Sequence, residues 1–320
     1  MINTVCCVQN GTVGRIRELP IVRAVRRSGE MLPVTEIHLV VEMLLAESAR
    51  IKRKQSVTYT KRKADDPMKI ALVTGASSGI GREFARQIVK LYRNLDEIWL
   101  VARRTERLQE LEKEFTVPVR IFDGDLNRDY IYERIEKELE RKNAEIRILV
   151  NSAGCGLSGC FGEREQDTEL RMVKLNCQSL TRMLLLCRPF LGRGSRVINL
   201  ASAAAFAPQP GFAIYSASKS YVYRLSMAIR EEWKPAEISV TVVCPGPVDT
   251  EFFAHSGELL GKSNKVTKVD PKAVARKALL DAVDRRCVSV YGTSMKVARI
   301  AGKLLPDVLS AYLMRKLNGI

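Results

Sequence analysis

Ile70-Ala71-Leu72-Val73-Thr74-Gly75-Ala76-Ser77-Ser78-Gly79-Ile80-Gly81 is the stretch that decides the architecture. Its opening run is apolar, too short for a helix and closed by a glycine, which predicts a strand over 69–74 buried on both faces. The turn that follows spaces its glycines as Gly75-x-x-x-Gly79-x-Gly81 and leads into a helix. Glycine permits backbone geometry closed to other residues and lets an anion come close to the chain. The helix N-terminus behind the turn offers unpaired N–H groups to that anion, so a pyrophosphate-sized ligand suits this position. The spacing differs from G-x-G-x-x-G, the usual dinucleotide fingerprint, and a glycine-rich turn alone also makes an ordinary tight loop.

Working outward, Tyr215-Ser216-Ala217-Ser218-Lys219 sets a phenol and an ammonium four residues apart, on one face of a helix. A nearby positive charge favours phenolate and lowers a phenol that otherwise titrates near ~10, making it a usable proton donor and acceptor. Alone, such a pair is equally a half-buried aromatic beside a solvated lysine. Upstream of it the apolar strand 196–200 delivers the hydroxyl of Ser202.

These stretches, with Asn151-Ser152-Ala153-Gly154, Asn176 and Pro245-Gly246 in the same order over roughly residues 68 to 292, resemble the short-chain dehydrogenase/reductase family. The resemblance implies an α/β fold: one doubly wound, Rossmann-like parallel sheet of about seven strands with helices on both faces. It implies reversible hydride transfer between NADP(H) and a carbonyl or secondary alcohol. Tyr215 would be the general acid/base, Ser202 would hydrogen-bond the reacting oxygen, and Lys219 would bind the nicotinamide ribose and depress the Tyr215 pKa. Asn176, in a locally opened helix, would hold a relay water on its backbone carbonyl. Cofactor contacts would come from Gly75, Ser77, Ser78, Gly79, Ile80 and Gly81, from Asp125 and Leu126 at the adenine, and from Asn151, Ala153 and Gly154. Tyr215 and Lys219 would add to these, with Pro245, Gly246, Val248 and Thr250 closing over the nicotinamide. Ser152 stands where the family more often has a second asparagine. Asp125 equally suits a helix cap.

The second strand, 97–102, ends in Arg103-Arg104 with no acid to hold a ribose 2′-hydroxyl. With the Ser77 hydroxyl these arginines favour a 2′-phosphate, hence NADP(H) over NAD(H), although two arginines also begin a solvated helix well. Further strands are expected over 117–122, 146–150, 239–244 and 287–291, and helices over 105–114, 170–185, 215–232 and 271–284. A helical tail over 295–317 carries Leu304, Leu305, Val308, Leu309, Tyr312, Leu313 and Leu317 at helical spacing, flanked by Lys296, Arg299, Lys303, Arg315 and Lys316. It is expected to cover the chain's own core, with a membrane surface or a partner subunit as alternatives.

The 320 residues, 46% hydrophobic and 28% charged, suit one large domain with extensions: 1–67 of unknown role, 68–292 catalytic, 293–320 the tail. The net charge of +16 sits in the flanks. Residues 1–67 hold 12 basic and 7 acidic side chains and 255–320 hold 13 and 5, whereas 68–254 hold 27 and 24. Basic flanks suit an acidic surface or a solvated arm, and no nucleic-acid motif is present. No run of eighteen apolar residues exists and no secretory signal is evident, so a cytoplasmic protein is expected. Eight scattered cysteines without a C-x-x-C pair, and the two histidines His38 and His255, argue against a metal site and for reduced thiols. Glu36 to Arg53 patterns as an amphipathic helix. Since Met68 directly precedes the first strand, the extension is expected to be dispensable or to reflect a misassigned start. Phe206, Phe212, Phe252 and Phe253 suggest an apolar pocket for a hydrophobic ketone or acyl substrate, and a homodimer or homotetramer follows from the resemblance. The rivals are a regulator that holds NADP without turnover and a membrane-surface or scaffold protein.

Overall fold

Seven parallel strands, ordered β3-β2-β1-β4-β5-β6-β7, form the sheet. They are β1 (Met68–Thr74), β2 (Glu97–Ala102), β3 (Val119–Asp123), β4 (Ala144–Asn151), β5 (Arg196–Leu200), β6 (Ser239–Val243) and β7 (Val288–Ser289). The helices are α1 (Gly79–Leu91), α2 (Thr105–Glu112), α3 (Tyr130–Arg141), α4 (Gln166–Val173), α5 (Leu180–Cys187), α6 (Ala213–Trp233), α7 (Pro271–Val283), α8 (Thr293–Leu304) and α9 (Asp307–Leu317). The computed structural model describes residues 66–251 and 268–320, all within one compact unit, Asp65–Ile320. The expected helix Glu36–Arg53, and Phe252, Phe253, His38, His255, Cys6 and Cys7, lie outside the described residues.

Alternation along the strands builds two apolar layers. Ile70 and Leu72 of β1 pack with Leu139 of α3, Met183 of α5 and Val222 of α6. Ala71 and Val73 face the other way, toward Phe84 and Ile88 of α1 and Leu279 of α7. Each large side chain fully buried in this way contributes roughly 1.5–3 kcal/mol. Both faces of β1 are covered, which is why its sequence is apolar without alternation. Ile70 pairs with Ile146 but Ala71 pairs with Ile148, so Arg147 is an extra residue in β4, a β-bulge. Its guanidinium reaches Glu145 at 2.6 Å and the Arg193 carbonyl at 2.9 Å.

The strand order matters most between β1 and β4. From β1 the chain first adds strands on one side, then returns to add β4 on the other, opening a crevice at their C-terminal ends. The turn after β1 and the Asn151–Gly154 segment after β4 both emerge there. The edges of the sheet depart from expectation. β3 begins after Pro118, which has no N–H for a ladder but whose carbonyl still accepts from Ile98. β7 is two residues long. The tail is two helices, because Pro306 cannot continue a helix and holds Leu305 in extended geometry.

Gly75 and Gly79 take positive φ (+68° and +53°), and a Cβ on Gly81 would lie 2.2 Å from the Gly75 carbonyl oxygen. Turn and helix therefore fit together only without that side chain. Gly81→Ala is expected to cost about 1–3 kcal/mol, as overpacking does, read as a lower urea midpoint with an unchanged denaturant slope.

Candidate active site

Lys219 sits at the bottom of the crevice, 5% exposed. Its ammonium donates to the Leu200 carbonyl at the end of β5, 3.0 Å away. A Cβ on Gly154 would come within 3.2 Å of Nζ, so the glycine makes room for the lysine head. One helical turn earlier, the Tyr215 ring centroid lies 5.8 Å from Nζ. Ser202 caps a short 3-10 turn, Ala203–Phe206, its Oγ accepting from the Ala204 N–H at 3.1 Å. That hydroxyl is also hydrogen-bonded to the Tyr215 side chain. A hydroxyl has one proton and two lone pairs. Having accepted from Ala204, Ser202 still has its proton to give to the phenol oxygen.

Burial governs the electrostatics. It pushes the Lys219 ammonium down to about 8 and the Tyr215 phenol up to about 12, the Ser202 hydrogen bond opposing the latter. The net direction for Tyr215 is therefore upward, whereas the resemblance implied a depressed phenol. The low-dielectric setting penalises both charged forms. Tyr215 keeps some exposed surface, so water tempers its rise.

Asn176 lies on a π-helical segment, Lys174–Ser179, inserted between α4 and α5. The helix is indeed opened there, and π insertions often mark functional positions. The Asn176 side chain forms a clamp. It accepts from the Cys155 N–H (2.9 Å) and donates to the Cys155 carbonyl (2.8 Å) and to Ser218 Oγ (2.9 Å). Ser218 in turn donates to the Tyr215 carbonyl at 2.7 Å. Ser218 was missed in the sequence, although a small polar residue on the buried side of an amphipathic helix was a usable signal.

Toward the other end of the crevice, α1 begins without a side-chain cap at Ser78. Ser78 Oγ accepts instead from Arg104 at 2.7 Å, and Arg104 also reaches Ser77 Oγ at 3.2 and 3.3 Å. Arg103 is exposed. Arg104 further pairs with Glu251 at 2.7 Å, and Arg107 binds the other Glu251 oxygen. These two guanidinium groups hold the Glu251 carboxyl down at about 2. An acid does meet the arginine after β2, but it arrives from the distant segment after β6, where strand-end reading does not look. A Cβ on Gly79 would lie 3.1 Å from Thr250 Cγ2, so the glycine turn and that segment face each other closely.

The remaining contacts are structural in part. Val248 is buried and bridges to Val269. The Pro245 carbonyl accepts from Ala203, and Gly246 lies against Met295 of α8. Asp125 makes a local turn, accepting from Asn127 at 2.9 Å, and the Leu126 carbonyl accepts from Tyr132 and Ser179. Asn151 donates to Asn199, while its Oδ1 is buried without a partner. Ile80 and Ala153 are partly buried at the turn. The glycine turn, the uncapped helix start and the arginine–serine pair together fit a dinucleotide.

A dinucleotide crevice ending at a half-buried hydroxyl and phenol beside a buried amine fits a nicotinamide-dependent oxidoreductase. The chain belongs to the short chain dehydrogenase family, whose model matches residues 69–259. It is 33% identical over 195 residues to sulfoacetaldehyde reductase 2 of Chromohalobacter salexigens, covering 57% of this chain and 74% of that one. It is 29% identical over 274 residues to 3-ketodihydrosphingosine reductase of Bos taurus, covering 78% and 81%. Among solved structures it is similar to a short-chain dehydrogenase from Sphingobium yanoikuyae in complex with NADPH, with TM-score 0.63, 28% identity and coverage of 74% and 93%. The chain is therefore an oxidoreductase acting on CH–OH with a nicotinamide cofactor.

The Lys219 shift has a stability consequence. Between about 8 and its ordinary 10.5, the unfolded chain binds more protons at Lys219 than the folded one. Stability from this group therefore rises with pH across that window and is lowest below it. Relative to Lys219→Met, wild-type urea stability is expected to climb from pH 8 to about 10, by at most ~1.4 kcal/mol per pH unit.

Proposed function

We propose that this enzyme interconverts a hydrophobic ketone and its secondary alcohol with NADP(H). The single observation that carries the reaction is the Ser202–Tyr215 hydrogen bond beside the buried Lys219. A bound nicotinamide would supply or accept the hydride. In the reducing direction Tyr215 Oη gives its proton to the substrate oxygen as negative charge develops there. Ser202 donates to that same oxygen. A phenol raised to about 12 stays protonated at neutral pH, which suits a general acid. Lys219 and Asn176 position the pair: the lysine through Leu200 and through the ribose it would bind, the asparagine through the Cys155–Ser218 clamp.

NADP(H) is favoured by Arg104, which lies against Ser77 and Ser78 with a charge able to meet a 2′-phosphate. That phosphate would take the place of Glu251 on the arginine. The apolar substrate class is supported by Phe206 and Phe212, both on the loop between Ser202 and Tyr215, and by the keto substrate, 3-ketodihydrosphingosine, in the bovine relative's name. Phe206 also packs edge-on against Tyr223, 6.0 Å between centroids, so only part of its ring is available.

Arg104→Ala is expected to weaken NADPH by roughly ten- to a hundred-fold and leave NADH nearly unchanged, the loss of one charge-assisted contact of ~1.5–3 kcal/mol. A parent enzyme preferring NADH would sink the cofactor assignment. Tyr215→Phe should lower single-turnover hydride transfer at least about a hundred-fold with NADPH saturating, and leave NADPH affinity in place. Near-normal transfer in that variant would remove the mechanism and leave a binding fold.

A further inference from the structure

The tail inverts the arrangement expected of it. On α8 the covered residues are Met295, Ala298, Arg299, Ala301 and Gly302, and on α9 they are Ser310, Ala311 and Met314. Mostly small side chains face the protein, and they allow close approach: a Cβ on Gly302 would lie 2.2 Å from the Phe206 carbonyl oxygen. Asn318 secures the far end by donating to the Pro210 carbonyl at 2.8 Å. The helix pair is thereby fastened to the loop between Ser202 and Tyr215. Its large apolar residues point away. Leu304, Val308 and Leu317 are 77%, 84% and 76% exposed, and Val297, Ile300 and Tyr312 are more than half exposed. More than half of the exposed large apolar residues among the described ones fall between Val297 and Ile320. Scattered exposed leucines need no explanation, but large apolar side chains concentrated on two successive helices point to an interaction surface.

Charge selects the occupant. Lys296, Lys303, Arg315 and Lys316 are exposed on the same two helices, and Asp307 is the only acid from 293 to 320. The Lys316 ammonium lies 4.7 Å over the Tyr312 ring, so charge and aromatic surface adjoin on this face. Apolar residues interleaved with basic ones are the chemistry of a helix lying in an anionic lipid interface. A second copy of the chain would bring the same positive charges face to face. Among the described residues no helix is long and apolar enough to cross a membrane, so a lipid contact made by this surface would be interfacial.

We propose that the outer face of α8 and α9 docks on an anionic lipid bilayer and seats the loop between Ser202 and Tyr215 at that surface. Docking stands on the tail alone. Only its consequence, entry of an apolar ketone from the lipid side, rests on the proposed function. The test is co-sedimentation of the full chain with phosphatidylcholine vesicles containing about 30% phosphatidylserine, against pure phosphatidylcholine, and needs no activity readout. The chain should bind the anionic vesicles at least ten-fold more strongly, and added salt should weaken binding. Leu304→Glu with Val308→Glu should abolish binding without moving the urea midpoint, since both residues are exposed. Lys303→Glu with Lys316→Glu should erase the preference for anionic lipid. No sedimentation of the parent chain, or equal sedimentation of the Leu304→Glu/Val308→Glu variant, overturns the proposal. A concentration-dependent dimer in light scattering that this variant dissolves also overturns it, making the occupant a second copy.

Discussion

The buried ammonium of Lys219 is the constraint on which the site depends. A lysine this far from water must have its protons satisfied, and one acceptor is the carbonyl of Leu200, the last residue of β5. That contact ties α6 to the sheet at the position where Ser202 leaves it. With Lys219 fixed, Tyr215 is fixed one turn away, and Ser202 reaches the phenol. Gly154 must lack a side chain for the lysine to fit, and Asn176 holds the neighbouring Cys155 in place. The π segment costs regular helix geometry and gives in return a side chain aimed at three partners. A local departure from good helix structure thus supports the geometry of a distant pair.

Burial moves the two titrating groups toward neutrality from opposite sides, the lysine down to about 8 and the phenol up to about 12. A protonated phenol next to a hydroxyl that can donate is arranged for giving a proton. The same burial makes a phenolate expensive, and the cation beside it is Lys219, which at about 8 is still protonated at neutral pH.

Much of this was legible in the sequence because the informative residues are local. The turn Gly75–Gly81, the strand ends at Ala102 and Leu200 and the Tyr215/Lys219 spacing each report on a neighbourhood of a few residues, and the sheet assembles them at one crevice. What escaped was non-local or energetic. Glu251 reaches Arg104 across nearly 150 positions of sequence, and no pattern around either residue announces it. The bulge at Arg147 is a property of pairing between strands. The direction of the Tyr215 shift required knowing how deeply both groups are buried, which spacing alone does not encode.

The tail illustrates a different limit. Periodicity identifies an apolar face but not the side on which the protein lies. Helical spacing at Leu304, Val308 and Leu317 was therefore compatible with covering the core, and the structure turns that face outward. The deciding signal was in the intervening residues: Ala298, Gly302, Ser310 and Ala311 are small enough for backbones to approach, and a helix fastened through small residues leaves its large ones free. The Gly302 contact with Phe206 makes this a fixed orientation, because any rotation that buried Leu304 would drive a larger residue into the Phe206 carbonyl. An apolar face held outward by packing on its opposite side is a surface kept for something else.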